Sequence, residues 1–288
     1  MTDPRPSTLR LPTHEVGVLE WGPADGELVV AMHGFPDTAW TWRKLAALLA
    51  EEGYRVAAPF LRGYAPSGIP SDDDYTVRAL AEDAVALHDA LGGHAATPLL
   101  GHDGGAIAAC AVAGDRASPY GRVVTMAVPP LTWMNPTRGM LAPWLAAGLR
   151  QPLRSWYIGF NQLPGASERV FHALARRLWR DWSPGYDATE DLALLADAVP
   201  DRDHARAVVS YYRALRTTGT RPAFREPVAP LLHLHGDRDG ALDPRFFRVV
   251  DVRARAPHRA VMVSGEGHFL QLERPAVVAD HVLRFLRG

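Results

Sequence analysis

The chain has a single cysteine, Cys110, and a single lysine, Lys44. One thiol excludes an intrachain disulfide and any metal site built from several cysteines. The lack of lysine is read as a coding preference, because arginine makes up the rest of the 31 basic residues against 32 acidic ones. The formal net charge of −1 gives no electrostatic reason to expect a nucleic acid or an anionic membrane as partner. No uncharged apolar run approaches the length that spans a bilayer. The segment MTDPRPSTLR has no apolar signal-peptide core. A cytoplasmic chain without membrane insertion is therefore expected. Neither H-E-x-x-H nor a G-x-G-x-x-G after a strand occurs, so no metal and no dinucleotide cofactor are expected. Repeats and low-complexity linkers are absent as well.

At 288 residues the chain suits one large α/β domain, or one domain carrying an insertion. Short strands are expected within residues 8–35, followed by buried strands at 54–60, 96–103 and 122–129. Helical spacing separates them at 40–52, 76–91 and 104–114. This alternation predicts parallel βαβ units. The rhythm breaks over 131–225, which holds five of the eight tryptophans and only helical patterns. It resumes with strands at 228–236 and 259–265 and a closing helix. The expected architecture is an α/β core, residues 1–130 and 226–288, with a helical insertion at 131–225.

Three segments fall at the C-terminal ends of expected strands. In Gly101-His102-Asp103-Gly104-Gly105, a sharp strand-to-helix turn would strain its central residue and expose that side chain at the sheet edge. Three glycines would relieve the crowding. A helix N-terminus favours an anion, so Asp103 would stay ionised there. The plainer reading is a glycine turn with a capping aspartate. His33-Gly34-Phe35-Pro36 follows an earlier buried strand, and a loop so placed can supply a backbone N–H to an oxyanion hole. The donors would be Phe35 and Gly104, with the His33 side chain structural. Gly267-His268-Phe269 follows the last strand, where a histidine can serve as general base. Among Asp237, Asp239 and Asp243, the spacing from the preceding strand favours Asp239 as the acid that orients the imidazole. The order nucleophile, acid, histidine at 103, 239 and 268 is that of α/β-hydrolases.

A carboxylate nucleophile suits displacement at saturated carbon. The product is an ester of Asp103, which water activated by His268 then cleaves. The substrate would carry an epoxide or a halide on sp³ carbon. The chain resembles the α/β-hydrolase-type epoxide hydrolases in HGFPDTAWTWR (33–43), LRGYAPSG (61–68), GHDGGA (101–106), SWYIGFNQLPG (155–165), SYYRALR (210–216), HGDRDG (235–240) and GHFLQLERP (267–275). That resemblance implies that the insertion is a lid. It also implies that two of its tyrosines, at positions Tyr157 and Tyr212, bind and protonate the epoxide oxygen. The chain departs from the family pattern where Gly104 replaces a tryptophan, Phe60 an acidic residue and Ala65 a glycine. Substrate-lining positions are expected at Trp156, Trp40, Phe269 and Trp133. The implied partners are a small hydrophobic epoxide and water, and a homodimer is left open. Dehalogenation with the same triad is the alternative, although the loss of an indole after Asp103 counts against it. A third reading, left open by Gly104, is a non-catalytic ligand-binding homologue.

Overall fold

A computed structural model describes residues 3–288. Those residues form one eight-stranded sheet in the order β1-β2-β4-β3-β5-β6-β7-β8. The strands are β1 (Arg5–Arg10), β2 (Glu15–Trp21), β3 (Glu27–Met32), β4 (Tyr54–Pro59), β5 (Pro98–His102), β6 (Arg122–Met126), β7 (Leu231–Gly236) and β8 (Arg259–Val263). From β4 to β8 every neighbouring pair is parallel, whereas β1–β2 and β2–β4 are antiparallel. The mostly parallel α/β architecture is as expected. The central strands are apolar throughout because helices cover both faces; Val29 to Met32 and Leu99 to Leu100 are fully buried. β1 begins ahead of the expected strand region. Its exposed or half-buried edge carries Pro6, which an edge strand tolerates.

In the core, α1 (Arg43–Glu51), α2 (Val77–Ala90) and α3 (Gly104–Ala113) alternate with strands. α2 starts where Thr76 accepts the Ala79 N–H with its side chain, an N-cap of the usual kind. Between β6 and β7 the chain adds no strand. It forms α4 (Leu141–Gly148), α5 (Gln151–Arg154), α6 (Trp156–Phe160), α7 (Ala166–Arg169), α8 (Phe171–Trp182), α9 (Thr189–Ala198) and α10 (Arg202–Ala214). The core closes with α11 (Phe247–Arg253), α12 (Leu270–Glu273) and α13 (Pro275–Leu286). Among the described residues no helix is long and apolar enough to cross a membrane.

The strand order places the site. β3 lies between β4 and β5, so the chain leaves β3 toward opposite sides in successive units. Ligands of open α/β sheets bind at such a switch point, beyond the C-terminal strand ends. The loop after β3 and the turn after β5 meet there.

Candidate active site

Asp103 ends β5 and begins α3 with φ 51° and ψ −115°, a conformation that side chains with a Cβ rarely adopt. Two of the three flanking glycines explain how the turn closes. A Cβ on Gly101 would clash with the Gly105 carbonyl, and one on Gly105 would clash with the Met32 and His33 carbonyls. Gly104 is different. A Cβ there would meet only the Gly34 Cα, at 3.8 Å. The expectation that all three glycines relieve crowding is corrected accordingly. The fourth glycine that matters is Gly34, across the crevice. Its missing Cβ would stand 2.5 Å from the Asp103 Cβ and 2.6 Å from Oδ1.

The Phe35 N–H donates to Asp103 Oδ1 at 2.9 Å. Oδ2 faces His268 Nε2 at 3.5 Å. On the far side of the ring, Nδ1–H donates to Asp239 Oδ2 at 3.0 Å. Asp239 Oδ1 accepts the N–H groups of Ala241 (2.7 Å) and Leu242 (3.1 Å), so both its oxygens are committed. The competing carboxylates do other work. Asp237 holds Ser264 and Gly265, and Asp243 accepts the Arg245 N–H in a short 3₁₀ turn.

Charge follows from this geometry. Burial pushes the Asp103 and Asp239 carboxyls up, yet the His268 imidazolium outweighs it and holds both below the ordinary carboxylate value. Burial pulls His268 down, but Asp239 and Asp103 together raise it to about 10. His268 stands between two carboxylates, each of which favours its charged form. His33 is structural, as expected: Nδ1–H donates to the Gly34 carbonyl and Nε2 accepts the Leu61 N–H.

The helices between β6 and β7 brace this constellation. The His268 N–H donates to the Trp182 carbonyl (3.1 Å) and to Ser183 Oγ (3.0 Å), at the C-terminus of α8. Ser183 in turn donates to Glu273. From α5, Gln151 donates to the Ala241 carbonyl, and Arg154 to the carbonyl of Asp239. Neither Gln151 nor Ser183 stood out in the sequence, because the groups they brace are more than 80 residues away.

Tyr157 on α6 and Tyr212 on α10 are both buried, with ring centroids 5.4 Å apart and planes at 89°. Burial raises the pKa of each phenol and so keeps it neutral, the Asp103 charge adds to the effect, and the two phenols also act on one another. Gln162 Nε2 donates to the Tyr212 carbonyl and Arg213 Nε to that of Asn161, tying the two helices together. Both tyrosines line one cavity of about 280 Å³ with Asp103, Gly104, Phe35 and His268. The rest of its wall is largely apolar, including Ile107, Leu131, Met134, Ile158 and Leu215, with Tyr64, Tyr75 and Tyr211 as further phenols. No local sequence pattern marks these as lining residues.

All four expected lining aromatics lie elsewhere. Trp40 packs edge-on against Trp21, and Trp156 carries Arg177 over its ring at 4.5 Å. Phe269 is fully buried and stacked on Trp179 at 3.6 Å. Trp133 is turned into the core and donates to Glu226, while Leu131 and Met134 on the same short turn face the cavity.

Fold and site together define a class. The chain belongs to the alpha/beta hydrolase fold family, whose description matches residues 27–275. It is 26% identical over 275 residues to the AB hydrolase superfamily protein YfhM of Bacillus subtilis, covering 93% of this chain and 92% of that one. It is 29% identical over 308 residues to epoxide hydrolase A of Mycobacterium tuberculosis, covering 94% of each. The crystal structure of epoxide hydrolase A from Mycobacterium thermoresistibile superposes with a TM-score of 0.72 at 25% identity, covering 99% of this chain and 98% of that one.

Proposed function

We propose that the chain is an epoxide hydrolase, opening an epoxide to a vicinal diol through an ester on Asp103. One observation carries this reading: two phenols, Tyr157 and Tyr212, face the same cavity as a carboxylate held at a strained turn. An epoxide oxygen leaves as an alkoxide and needs a proton, which a phenol kept neutral by burial can give. The names of the relatives from the two mycobacteria agree with it. On this reading residues 131–225 are a cap over a core formed by 1–130 and 226–288.

The two carboxylate oxygens have separable parts. Oδ2, on the His268 side, attacks the ring carbon as the carbon–oxygen bond of the epoxide breaks, and the phenols protonate the departing oxygen. Oδ1, already bonded to the Phe35 N–H, remains the ester carbonyl. The imidazolium makes good the proton that the phenols gave up, and water then adds to the Asp103 carboxyl carbon and gives its proton to the freed His268 Nε2. The negative charge forms on Oδ1 in front of the Phe35 and Gly104 N–H groups. Collapse breaks the bond from the carboxyl carbon to Oδ2 and His268 gives its proton to the departing oxygen; the proton left on the Asp103 carboxyl then passes to the imidazole, and the diol leaves. Asp239 holds the imidazole tautomer throughout.

Halide displacement fits less well. Phe35 and Gly104 carry no side-chain donor for a departing anion. The indole N–H groups of Trp179 and Trp133 are given to Pro36 and Glu226. The test is a purified protein assayed on a panel of apolar epoxides and alkyl halides. Diol formation is expected. Halide release without diol formation would replace this reading with dehalogenation, and turnover of neither would favour a binding protein.

A further inference from the structure

We propose that the exposed side of residues 141–154 docks on an anionic lipid surface; the inference goes beyond the epoxide hydrolase reading and does not rest on it. α4 has the sequence LAPWLAAG, apolar on every side. A helix of that kind is ordinarily buried. Yet of its eight residues only Ala147 is buried, and Leu141 and Leu145 are 55% and 48% exposed. The backbone stays helical through Leu149 and Arg150 into α5. Leu149 and Leu153 are each 80% exposed. Leucines at 141, 145, 149 and 153 recur every four residues, so they fall on one side of this stretch. Single exposed leucines need no explanation, but four in register make one apolar face, open among the described residues.

Charge indicates what covers it. From residue 116 to residue 167 the chain has five arginines and no acidic residue. Two of the five, Arg138 and Arg150, flank α4 and are exposed. α4 packs on the 3₁₀ turn Pro244–Phe246 and on α11, which add the exposed Arg245 and Arg248 against Asp251. Asp243 faces Arg150 and Arg154 at 3.7 and 3.6 Å, but it is buried and presents no charge to a partner. The net charge of −1 averages this asymmetry away. Exposed leucines flanked by arginines suit the headgroup region of an anionic bilayer, and the half-buried Trp144 suits the same boundary. A second copy is a poorer cover. A two-fold dimer sets one patch against itself, so arginine would meet arginine across its rim. Gln151 and Ser155 line the active-site cavity, so the docked face and the cavity are neighbours.

The experiment is flotation of the full chain with vesicles of phosphatidylcholine alone and of phosphatidylcholine mixed with phosphatidylglycerol, in low and high salt. The protein should float with the anionic vesicles and far less with the neutral ones, and salt should release it. Leu149→Ser combined with Leu153→Ser should weaken anionic binding about 100-fold, as two leucines no longer leave water. Arg138→Gln combined with Arg248→Gln should weaken it roughly 10–30-fold. All four side chains are exposed, and if one pair of changes fails to fold, the other still decides. Light scattering should give the same solution mass for the wild type and the leucine pair. Flotation with neither vesicle, equal flotation with both, or anionic binding that survives either pair of changes would overturn the proposal. So would a dimer that the leucine pair dissolves, because the face would then belong to a second copy.

Discussion

Phe35 and Asp103 are 68 residues apart in sequence, and the backbone N–H of the first holds one carboxylate oxygen of the second at 2.9 Å. The contact exists because β3 and β5 are adjacent parallel strands whose chain continuations leave in different directions. It splits the carboxylate into a fixed oxygen and one that faces the imidazole. The loop can come this close only because Gly34 has no side chain on the facing surface.

Gly34→Ala should therefore abolish most activity. The new methyl would overlap the Asp103 Cβ and Oδ1 and the backbone N of Gly104, although Gly34 itself has no positive φ that would forbid alanine. The carboxylate must yield. A displacement on the order of 1 Å at a reacting group can cost about 100-fold. Steady-state kinetics of the folded variant should show kcat lowered by at least that factor. Full activity would mean that Asp103 is not held as described.

His268→Gln should stop the cycle halfway. Asp103 keeps its strained turn and its bond from Phe35, so the carboxylate can still attack. The water-activating nitrogen is gone. Intact-protein mass spectrometry after incubation with an epoxide should show one added substrate mass, located by digestion on the peptide carrying Asp103. Accumulation of unmodified protein alone would rule out an ester on that residue.

The part of the site that was legible in the sequence was the part governed by local rules. A strand-to-helix turn needs glycine where backbone crosses backbone, as at Gly101 and Gly105, and that requirement shows in the letters. The spacing after β7 singled out Asp239, and of the three carboxylates there only that one meets the imidazole. The cavity lining was not legible. Large aromatics suggested a pocket, but rigid rings also fill cores, and Trp133 and Phe269 do so. Which side of a helix or short turn faces the cavity is decided by long-range packing. Leu131 and Met134 line the cavity while Trp133 between them turns away. Gln151 and Ser183 brace the acid and the base through partners that no local pattern reveals.

The phenols should divide the labour of protonation. Tyr157→Phe and Tyr212→Phe each keep the ring and its edge-on contacts and lose only the hydroxyl. Each single change should lower kcat by roughly 10–100-fold, and the double change by about 10²–10⁴-fold, the range of general acid catalysis. An activated substrate with a good leaving group needs no proton, so its turnover should fall much less. Equal losses on both kinds of substrate would assign the tyrosines to packing.

Stability should decline on the alkaline side through His268. Its value is raised from 6.5 to about 10 by Asp239 and Asp103. A raised value means stabilisation that is complete below 6.5 and lost as pH rises through 10. The two carboxylates, held low, act in the opposite sense and lose their contribution only in acid. The difference in melting midpoint between wild type and His268→Gln should be largest near pH 6.5 and shrink toward pH 10. A constant difference would show that the imidazole is neutral at rest.

Esterification itself should change the charge on His268, and pH separates the two halves of the reaction. Asp103, with Oδ2 3.5 Å from Nε2, contributes its charge to the elevation of the imidazole. Alkylation removes that charge, so burial regains influence and the ring gives up its proton more easily. It then becomes a base only after the ester has formed. At lower pH the imidazole stays protonated and hydrolysis slows, whereas attack continues because the Asp103 carboxyl is held below its ordinary value. Rapid-quench mass spectrometry of the wild type should therefore find more esterified enzyme as pH falls from 8 toward about 5. An ester fraction that declines over that interval would show that attack, not hydrolysis, is the step limited by acid.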